Sequence, residues 1–201
     1  MSKGNQTRSS ILSDAVELAS VVGLEGLTIG ALAEQTAMSK SGLFAHFGSK
    51  EQLQLATLEA GIARFTEVVI RPALKAERGL TRIRTLFDGW LAWSCHTGPR
   101  GGCLFAAATF EQDDREGPVR DYLVEQQTAW IELMADMTRR TMDLGQFRAD
   151  LDPYQFAHEL NGIFLTYQQA RRLLRDPQAE VRARASFARL CKDATDGTAL
   201  S

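Results

Sequence analysis

Apolar positions recur along this chain at intervals of three and four residues, which is the spacing of one face of an amphipathic α-helix. A first stripe ends at Gly23, a residue that commonly stops a helix. Asp152-Pro153 and Asp176-Pro177 each place an N-cap acid before a proline that fits the first helical turn. Helices are predicted over residues 7–22, 49–74, 80–96, 103–110, 119–144, 153–174 and 177–192. The pattern therefore predicts an all-α protein.

Residues 27–50, LTIGALAEQTAMSKSGLFAHFGSK, predict two short helices joined by a tight turn and followed by a third helix. Thr28 and Ser39 are expected N-caps, because their hydroxyls accept from otherwise unpaired amides of the first turn. Ser49 is expected to cap the next helix. Leu43 and Phe47 lie four residues apart and should turn inward together. The residues left on the outer face of the second helix are Lys40, Ser41, Gly42, Ala45 and His46.

The spacing and residue types of this stretch are similar to those of the tetracycline-repressor (TetR) family of transcriptional regulators. The resemblance implies that the helix from Ser39 to Phe47 is a recognition helix and that Thr28 contacts DNA phosphate. It also implies an N-terminal three-helix, helix-turn-helix DNA-binding domain over residues 1–48 and a C-terminal helical domain over residues 49–201 for effector binding and dimerisation.

Two residues depart from the family pattern. Ala37 stands in the turn where glycine is usual, and its methyl group costs about 1 kcal/mol if the position is left-handed. Phe44 stands where tyrosine is usual and lacks a hydroxyl that would reach a phosphate. The second change removes one expected contact with the DNA backbone.

The resemblance implies a set of DNA contacts, whose individual roles are open. Lys40 is expected to reach either guanine acceptors or phosphate. Gly42 either allows close approach or leaves space for a thymine methyl, and otherwise only weakens the helix. His46 and Lys50 are expected phosphate anchors, or else solvated charges. The expected DNA-binding residues are Thr28, Ser39, Lys40, Ser41, Gly42, Phe44, Ala45, His46 and Lys50.

The charge balance gives little sign of a polyanion partner. The 201 residues carry a formal charge of −2, and residues 1–50 hold four basic and four acidic side chains. This is weaker than the basic patch typical of a DNA-binding domain. We therefore expect modest affinity per subunit, dependence on dimerisation and a shallow salt dependence.

Several classes of protein are disfavoured. The start of the chain lacks the apolar core of a signal peptide and no run has the length of a membrane span, so a cytoplasmic protein is expected. The three cysteines and three histidines have no zinc-site spacing, and no metal or other cofactor is expected. Cys95 and His96 are adjacent and point about 100° apart on a helix, so they do not form a nucleophile and base. An enzyme is not expected.

The second half of the chain should hold a pocket for a small apolar effector. Its aromatic and apolar candidates fall on helices expected to converge, and its polar candidates would orient the ligand. Each residue has the alternative of being ordinary core or solvent-facing. The pocket candidates are Trp90, Trp93, His96, Cys103, Phe105, Thr109, Phe110, Trp130 and Met134.

The last two helices should form a four-helix bundle with a twofold mate, as the resemblance implies. Two recognition helices spaced by about one DNA turn would then read a palindrome. The alternative is a stripe packed only on its own subunit. The expected dimer contacts are Phe156, Leu160, Ile163, Phe164, Tyr167, Val181, Ala185 and Ala188.

Together these features predict a homodimeric repressor that a small effector releases from a palindromic operator. The effector is expected to shift the long helix after Ser49 through its differential affinity for two states. One alternative is an effector-independent DNA-binding regulator, whose second half serves only dimerisation. Another is a redox sensor that uses Cys95 and Cys103, which flank a glycine-rich loop.

Overall fold

The structure, a computed structural model, describes residues 3–196, and every regular element in that range is helical. The prediction of an all-α fold is confirmed. Two of the elements are π-helical turns, at Thr66–Ile70 and Trp93–Thr97. The α-helices are α1 (Lys3–Gly26), α2 (Ile29–Thr36), α3 (Lys40–Phe47), α4 (Lys50–Phe65), α5 (Arg71–Lys75), α6 (Leu80–Ala92), α7 (Leu104–Gln112), α8 (Pro118–Asp143), α9 (Pro153–Arg172) and α10 (Ala179–Asp196).

Local signals predicted most helix ends. Helix α1 is interrupted at Gly23, which has φ 81° and ψ 164°, and this confirms the predicted stop, although the helix begins at Lys3 rather than Thr7. Asp152 caps α9 by accepting from the amides of Tyr154 and Gln155. Asp176 instead caps a turn, by accepting from the amide of Gln178 at 2.9 Å, so α10 starts two residues later than predicted.

The sequence predicted one continuous helix over residues 49–74, but the structure is not α-helical throughout this segment. It widens into the π-helical turn at Thr66–Ile70 just before Pro72. Proline has no amide hydrogen and crowds the carbonyl four residues earlier, which disturbs the ladder of α-helical hydrogen bonds at that point.

The chain divides into two compact units. One comprises the described residues up to Thr66 together with Trp93–Glu125, and the other comprises Glu67–Ala92 together with the described residues from Gln126 onward. This division by packing places α4 and α7 in one unit with α1. The predicted boundary between residues 48 and 49 separates functions instead of packing units, and it stays a prediction.

The first unit is built on α1, which packs against α2, α4 and α7. The interior is almost wholly aliphatic, so hydrophobic burial holds the short helices in place. Its fully enclosed side chains include Leu24, Leu27, Leu32, Leu43, Leu53 and Leu58.

The glycine-rich loop before α7 docks on α1 within this unit. The amide of Arg100 donates to Glu17 Oε2 at 2.9 Å, and the amide of Gly101 donates to Ser20 Oγ at 3.0 Å. A Cβ on Gly101 would lie 1.8 Å from the Ser20 carbonyl oxygen, so only glycine allows this approach. The loop is therefore a fixed part of the unit.

Helix α7 corrects one expectation. An almost wholly apolar sequence such as that of residues 103–110 is typical of a helix buried on all sides, yet Phe110 is 67% exposed, while Leu104 and Ala108 are buried. The other residues of α7 are buried or half-buried, so Phe110 alone in this helix is directed toward solvent.

Stacked aromatic rings form the core of the second unit. Phe87 lies parallel to Phe187 with ring centroids 4.0 Å apart, and Trp90 stacks on Phe164 at 4.5 Å. Tyr167 meets Trp90 edge to face. These contacts join α6, α9 and α10 into one body.

This core corrects half of the predicted dimer contacts. Phe156, Leu160, Phe164 and Tyr167 are each at most 2% exposed within the chain, so they have no surface left for a second copy. For these four residues the alternative applies, a stripe packed on its own subunit. The remaining four predicted contacts lie at the surface: Ile163 is half-buried, Val181 is 61% exposed, and Ala185 and Ala188 are exposed.

We predict that Ala37→Gly stabilises the protein. Ala37 ends α2 in the left-handed region, at φ 53° and ψ 26°, where a methyl group costs about 1 kcal/mol relative to glycine. The melting temperature should rise by roughly 2 to 4 °C. Ala63→Gly, at an exposed site inside α4, is the matched control and should lower it, because glycine weakens a regular helix. No gain for Ala37→Gly would contradict the strain.

Candidate nucleic-acid interface

Side-chain caps define the unit made by α2, its turn and α3. Thr28 Oγ1 accepts from the amide of Ala31 at 3.0 Å, and Ser39 Oγ accepts from the amide of Gly42 at 3.1 Å. Both predicted caps are confirmed. Leu43 and Phe47 turn into the core, as their four-residue spacing predicted. The opposite face of α3 is therefore held toward solvent.

The outer face of α3 combines polar side chains with one large apolar ring. Phe44 is 59% exposed, although it is the most apolar residue on that face. An exposed aromatic ring beside polar groups is suited to lose water against a partner surface. The other exposed members of this face are Lys40, Ser41, Ala45 and His46.

Gly42 has a structural role that the sequence did not reveal. A Cβ at this position would lie 3.1 Å from Ser39 Oγ, the atom that caps the helix. Glycine therefore keeps the cap intact, and it also leaves the half-buried start of α3 without a projecting side chain. Close approach of a partner and a relaxed cap are both consequences of the same missing atom.

Lys40 lies beside the beginning of α2. A Cβ at Gly30 would be 3.7 Å from Thr28 Oγ1 and 3.8 Å from Lys40 Nζ, so the hydroxyl and the ammonium group share one side of the first turn of α2. A helix N-terminus favours anions, and a hydroxyl and a cation at the same place are suited to a phosphate.

Lys50 is paired in the structure rather than free. Its Nζ lies 3.0 Å from Glu25 Oε2, while Glu25 Oε1 lies 3.1 Å from both Arg115 Nη1 and Gln112 Nε2. The hydrogen bond from Lys50 is the main cause that lowers the pKa of Glu25, so this carboxylate stays ionised.

Arg8 is a cation near α3 to which the sequence pattern assigned no role. Its guanidinium lies over the Phe47 ring, 5.5 Å from the centroid. The side chain stays at the surface, since residue Arg8 is exposed while the ring beneath it is buried. Only the pairing of positions 8 and 47 in the folded chain reveals this placement.

A second charged cluster joins α1, α4 and the glycine-rich loop. Arg64 Nη1 lies 2.8 Å from Glu17 Oε1, and Arg64 Nη2 donates to the Thr97 carbonyl at 3.3 Å. Burial would raise the pKa of Glu17, but the Arg100 amide and the Arg64 guanidinium outweigh it and lower that pKa. Helix α4 is thus fixed to α1 by ionised groups as well as by burial.

The pocket candidates of the first unit lie in unlike surroundings. Trp93 and Cys103 are buried, Phe105 and Thr109 are half-buried, and His96 and Phe110 are exposed. The two exposed side chains are therefore not walls of an enclosed cavity. The Trp93 ring meets Phe65 edge to face at 5.4 Å, and Arg64 lies over it.

The candidates of the second unit come together. Trp90 and Trp130 both contact Phe164, with Trp130 at 5.9 Å between centroids. Trp130 is half-buried and donates from Nε1 to Asn161 Oδ1 at 3.2 Å. Met134 follows one turn later on α8 and is buried. Sequence reasoning grouped these residues but did not identify Asn161 as their polar partner.

Cys95, Cys103 and Cys191 are not joined in a disulfide. Burial raises the pKa of the Cys103 thiol, which disfavours the reactive thiolate. The redox alternative stays a prediction that this environment does not favour. Among residues 3–196, no group of histidine, cysteine and carboxylate side chains is arranged to hold a metal ion, and no helix has the length and apolarity to cross a membrane.

Comparison with known families gives two matches that together span most of the chain. Residues 11–57 match the family described as bacterial regulatory proteins, tetR family. Residues 79–187 match the family described as tetracyclin repressor-like, C-terminal domain. The first covers most of α1, all of α2 and α3 and the start of α4, and the second covers α6 to α9 and the first half of α10.

Similar proteins include a named repressor. The chain is 29% identical over 158 residues to the HTH-type transcriptional repressor AcnR of Corynebacterium glutamicum, an alignment that covers 78% of this chain and 76% of AcnR. A TetR transcriptional regulator from Chloroflexus aurantiacus superposes with a TM-score of 0.85 at 22% identity, over 98% of both chains. AibR, solved with isovaleryl coenzyme A and operator DNA, superposes with a TM-score of 0.70 at 20% identity, over 88% of this chain and 93% of AibR.

Proposed function

The chain belongs to the TetR family of DNA-binding transcriptional regulators, and from that premise we propose that it is a homodimeric repressor released from a palindromic operator by a small apolar effector. The observation that carries this proposal is the capped, core-anchored helix α3, which keeps one face exposed. The similarity to AcnR, which is a transcriptional repressor, supports the proposal that this protein represses transcription.

In the proposed DNA complex, α3 lies in the major groove. Residues Lys40, Ser41 and Gly42 at its start face base edges, because that end of a recognition helix enters the groove. Phe44 and Ala45 supply apolar contact, for example with a thymine methyl. His46, at the far end of the helix, faces the backbone.

The proposed phosphate contacts surround α3. Thr28 and Ser39 offer hydroxyls at the beginnings of α2 and α3, and Lys50 offers an ammonium group at the beginning of α4. We add Arg8, since its exposed guanidinium lies over Phe47 beside the recognition helix. Such contacts position the protein on DNA without selecting a sequence.

The proposed dimer uses the outer surfaces of α9 and α10. A cleft of about 630 Å³ runs along these helices, and its lining includes Gly162 and Ile163. The smallest residue on this face, Gly162, has no atom within 4 Å of where a Cβ would lie, so a partner helix has room to approach. Val181, Ala185 and Ala188 are exposed on α10 outside this cleft, and they offer further apolar surface to a partner helix.

The proposed effector site is the aromatic cluster of the second unit. Trp90, Trp130 and Met134 offer apolar surface, and the half-buried Trp130 gives access to it. Asn161, which accepts from the indole, offers a polar group to orient a ligand. AibR, a relative in fold, was solved with a small molecule and operator DNA, which supports a ligand-responsive role.

We predict different effects for the two lysines beside the recognition helix. Lys40→Ala should relax sequence preference at one base pair, at a cost of about 1 to 3 kcal/mol if it contacts guanine. Lys50→Ala should weaken all sequences alike and make the slope of log K against log[salt] shallower by about one. Fluorescence anisotropy with specific and scrambled duplexes at several salt concentrations measures both.

Lys75→Ala, at an exposed position of α5, controls for the loss of one positive charge and should have little effect. An equal loss on every sequence for Lys40→Ala would make that residue a phosphate contact. An unchanged affinity for Lys50→Ala would remove it from the interface.

We predict that Ile163→Asp and Val181→Asp dissociate the dimer, because each buries a charge where two copies meet. Sedimentation velocity should show a dimer dissociation constant raised by at least tenfold, while the circular dichroism spectrum should remain that of a helical protein. Leu144→Asp, which replaces an apolar residue that is 52% exposed in the turn just after α8, should remain dimeric. Dimers that persist in both variants would contradict the proposed interface.

We predict that some apolar compounds which raise the melting temperature also lower operator affinity. Trp130→Ala should abolish both effects and leave the affinity of the unliganded protein for DNA within about twofold, since Trp130 lies outside the DNA-contacting residues. Tyr154→Ala, an exposed aromatic residue on α9, is the control and should respond like wild type. Compounds that stabilise the protein without changing DNA binding would favour the effector-independent alternative.

A further inference from the structure

Glu25 lies where three helices of the first unit meet. Glu25 comes two residues after the break at Gly23 in α1. Its carboxylate contacts Lys50 at the start of α4 and Gln112 at the end of α7. Arg115, just beyond α7, completes the set. The backbone is held as well, because the amide of Glu25 donates to Glu111 Oε2 at 2.9 Å.

The two oxygens of Glu25 have different partners. Oε2 accepts from Lys50 Nζ at 3.0 Å, whereas Oε1 faces Arg115 Nη1 and Gln112 Nε2, both at 3.1 Å. One carboxylate is thus shared between a cation beside the recognition helix and two donors from the α7 segment. If one oxygen loses its hydrogen-bond donor, the carboxylate interacts more strongly with the donors that remain at the other oxygen.

The contacts are accessible enough to exchange with a ligand. The side chains of Lys50, Glu25 and Arg115 are 42%, 34% and 54% exposed. Ion pairs of this exposure contribute little to stability, because water and salt screen them. A DNA phosphate is therefore able to replace the carboxylate as the partner of Lys50.

Phosphate and Glu25 compete for the same ammonium group. While Lys50 is paired with Glu25, the positive charge available to DNA is reduced, and an ionised carboxylate lies next to the approaching phosphates. Arg115 and Gln112 weaken this competition, since they hold and partly neutralise the carboxylate from the other side.

We propose that Glu25 is a positioning residue for DNA binding, through which the end of α7 sets how strongly Lys50 binds phosphate. The proposal rests on the proposed role of Lys50 as a phosphate contact. Removing the carboxylate strengthens DNA binding, and removing Arg115 weakens it by returning Lys50 to Glu25. The segment that follows α7 thereby acts on DNA affinity without touching DNA.

The test uses the full chain and a random-sequence duplex of about 30 base pairs, because a phosphate contact does not depend on sequence. Glu25→Gln keeps the shape of the side chain and should tighten binding about threefold to tenfold, with a steeper salt dependence. The gain should largely disappear in the Lys50→Ala background, since the two substitutions act on one interaction. Arg115→Gln should weaken binding by a similar factor, and only while Glu25 is present.

Glu34→Gln is the matched control. It removes the same charge from an exposed position of α2, outside the Glu25 contacts, and should give a smaller gain that is the same with and without Lys50. An equal gain for Glu34→Gln and Glu25→Gln would mean a general charge effect and would overturn the proposal. Melting temperatures of all variants confirm that each is folded.

The remaining outcomes separate the proposal from its premise. If Lys50→Ala leaves binding unchanged, Lys50 is not a phosphate contact and both ideas fail. If Lys50→Ala weakens binding but Glu25→Gln does not strengthen it, only the role of Glu25 is overturned. If the loss from Arg115→Gln persists in the Glu25→Gln background, Arg115 itself contacts DNA and the proposed action through Glu25 is wrong.

Discussion

Helix α3 has eight residues, too few to be stable in water alone, so the surface that we propose for DNA contact exists only because the opposite face is buried. Leu43 and Phe47 supply that burial, each worth about 1.5 to 3 kcal/mol, and Ser39 supplies the cap that closes the first turn. The same constraint fixes the orientation of the exposed residues, because turning Leu43 inward leaves Ser41 and Ala45 on the opposite side of the helix. DNA binding is in this sense a property of the core of the first unit.

Local sequence signals predicted much of this arrangement. The hydroxyls of Thr28 and Ser39 and the carboxylate of Asp152 cap the helices that follow them, because capping involves only neighbouring residues. Helical periodicity located the helices but not their partners. It could not tell that Phe164 packs inside the chain while Ile163, one residue earlier, lies nearer the surface, nor that α7 exposes Phe110.

The charge of the DNA-binding segment is even harder to predict from sequence than the packing of the helices. Counting residues 1–50 gave a neutral segment, yet the effective charge of Lys50 depends on Glu25, twenty-five positions away, and on Arg115, much further along the chain. Pairs so distant in sequence are set by the fold alone. They also give the α7 segment an electrostatic connection to the start of α4, which a sum over the sequence does not reveal.

The central claim is that two copies of α3 read DNA as a pair, and selection of bound duplexes from a random pool tests it most directly. We expect an enriched palindrome whose half-sites are centred about 10 base pairs, or a multiple of that, apart. Recovery of a single unrepeated site, or no enrichment over the starting pool, would contradict it.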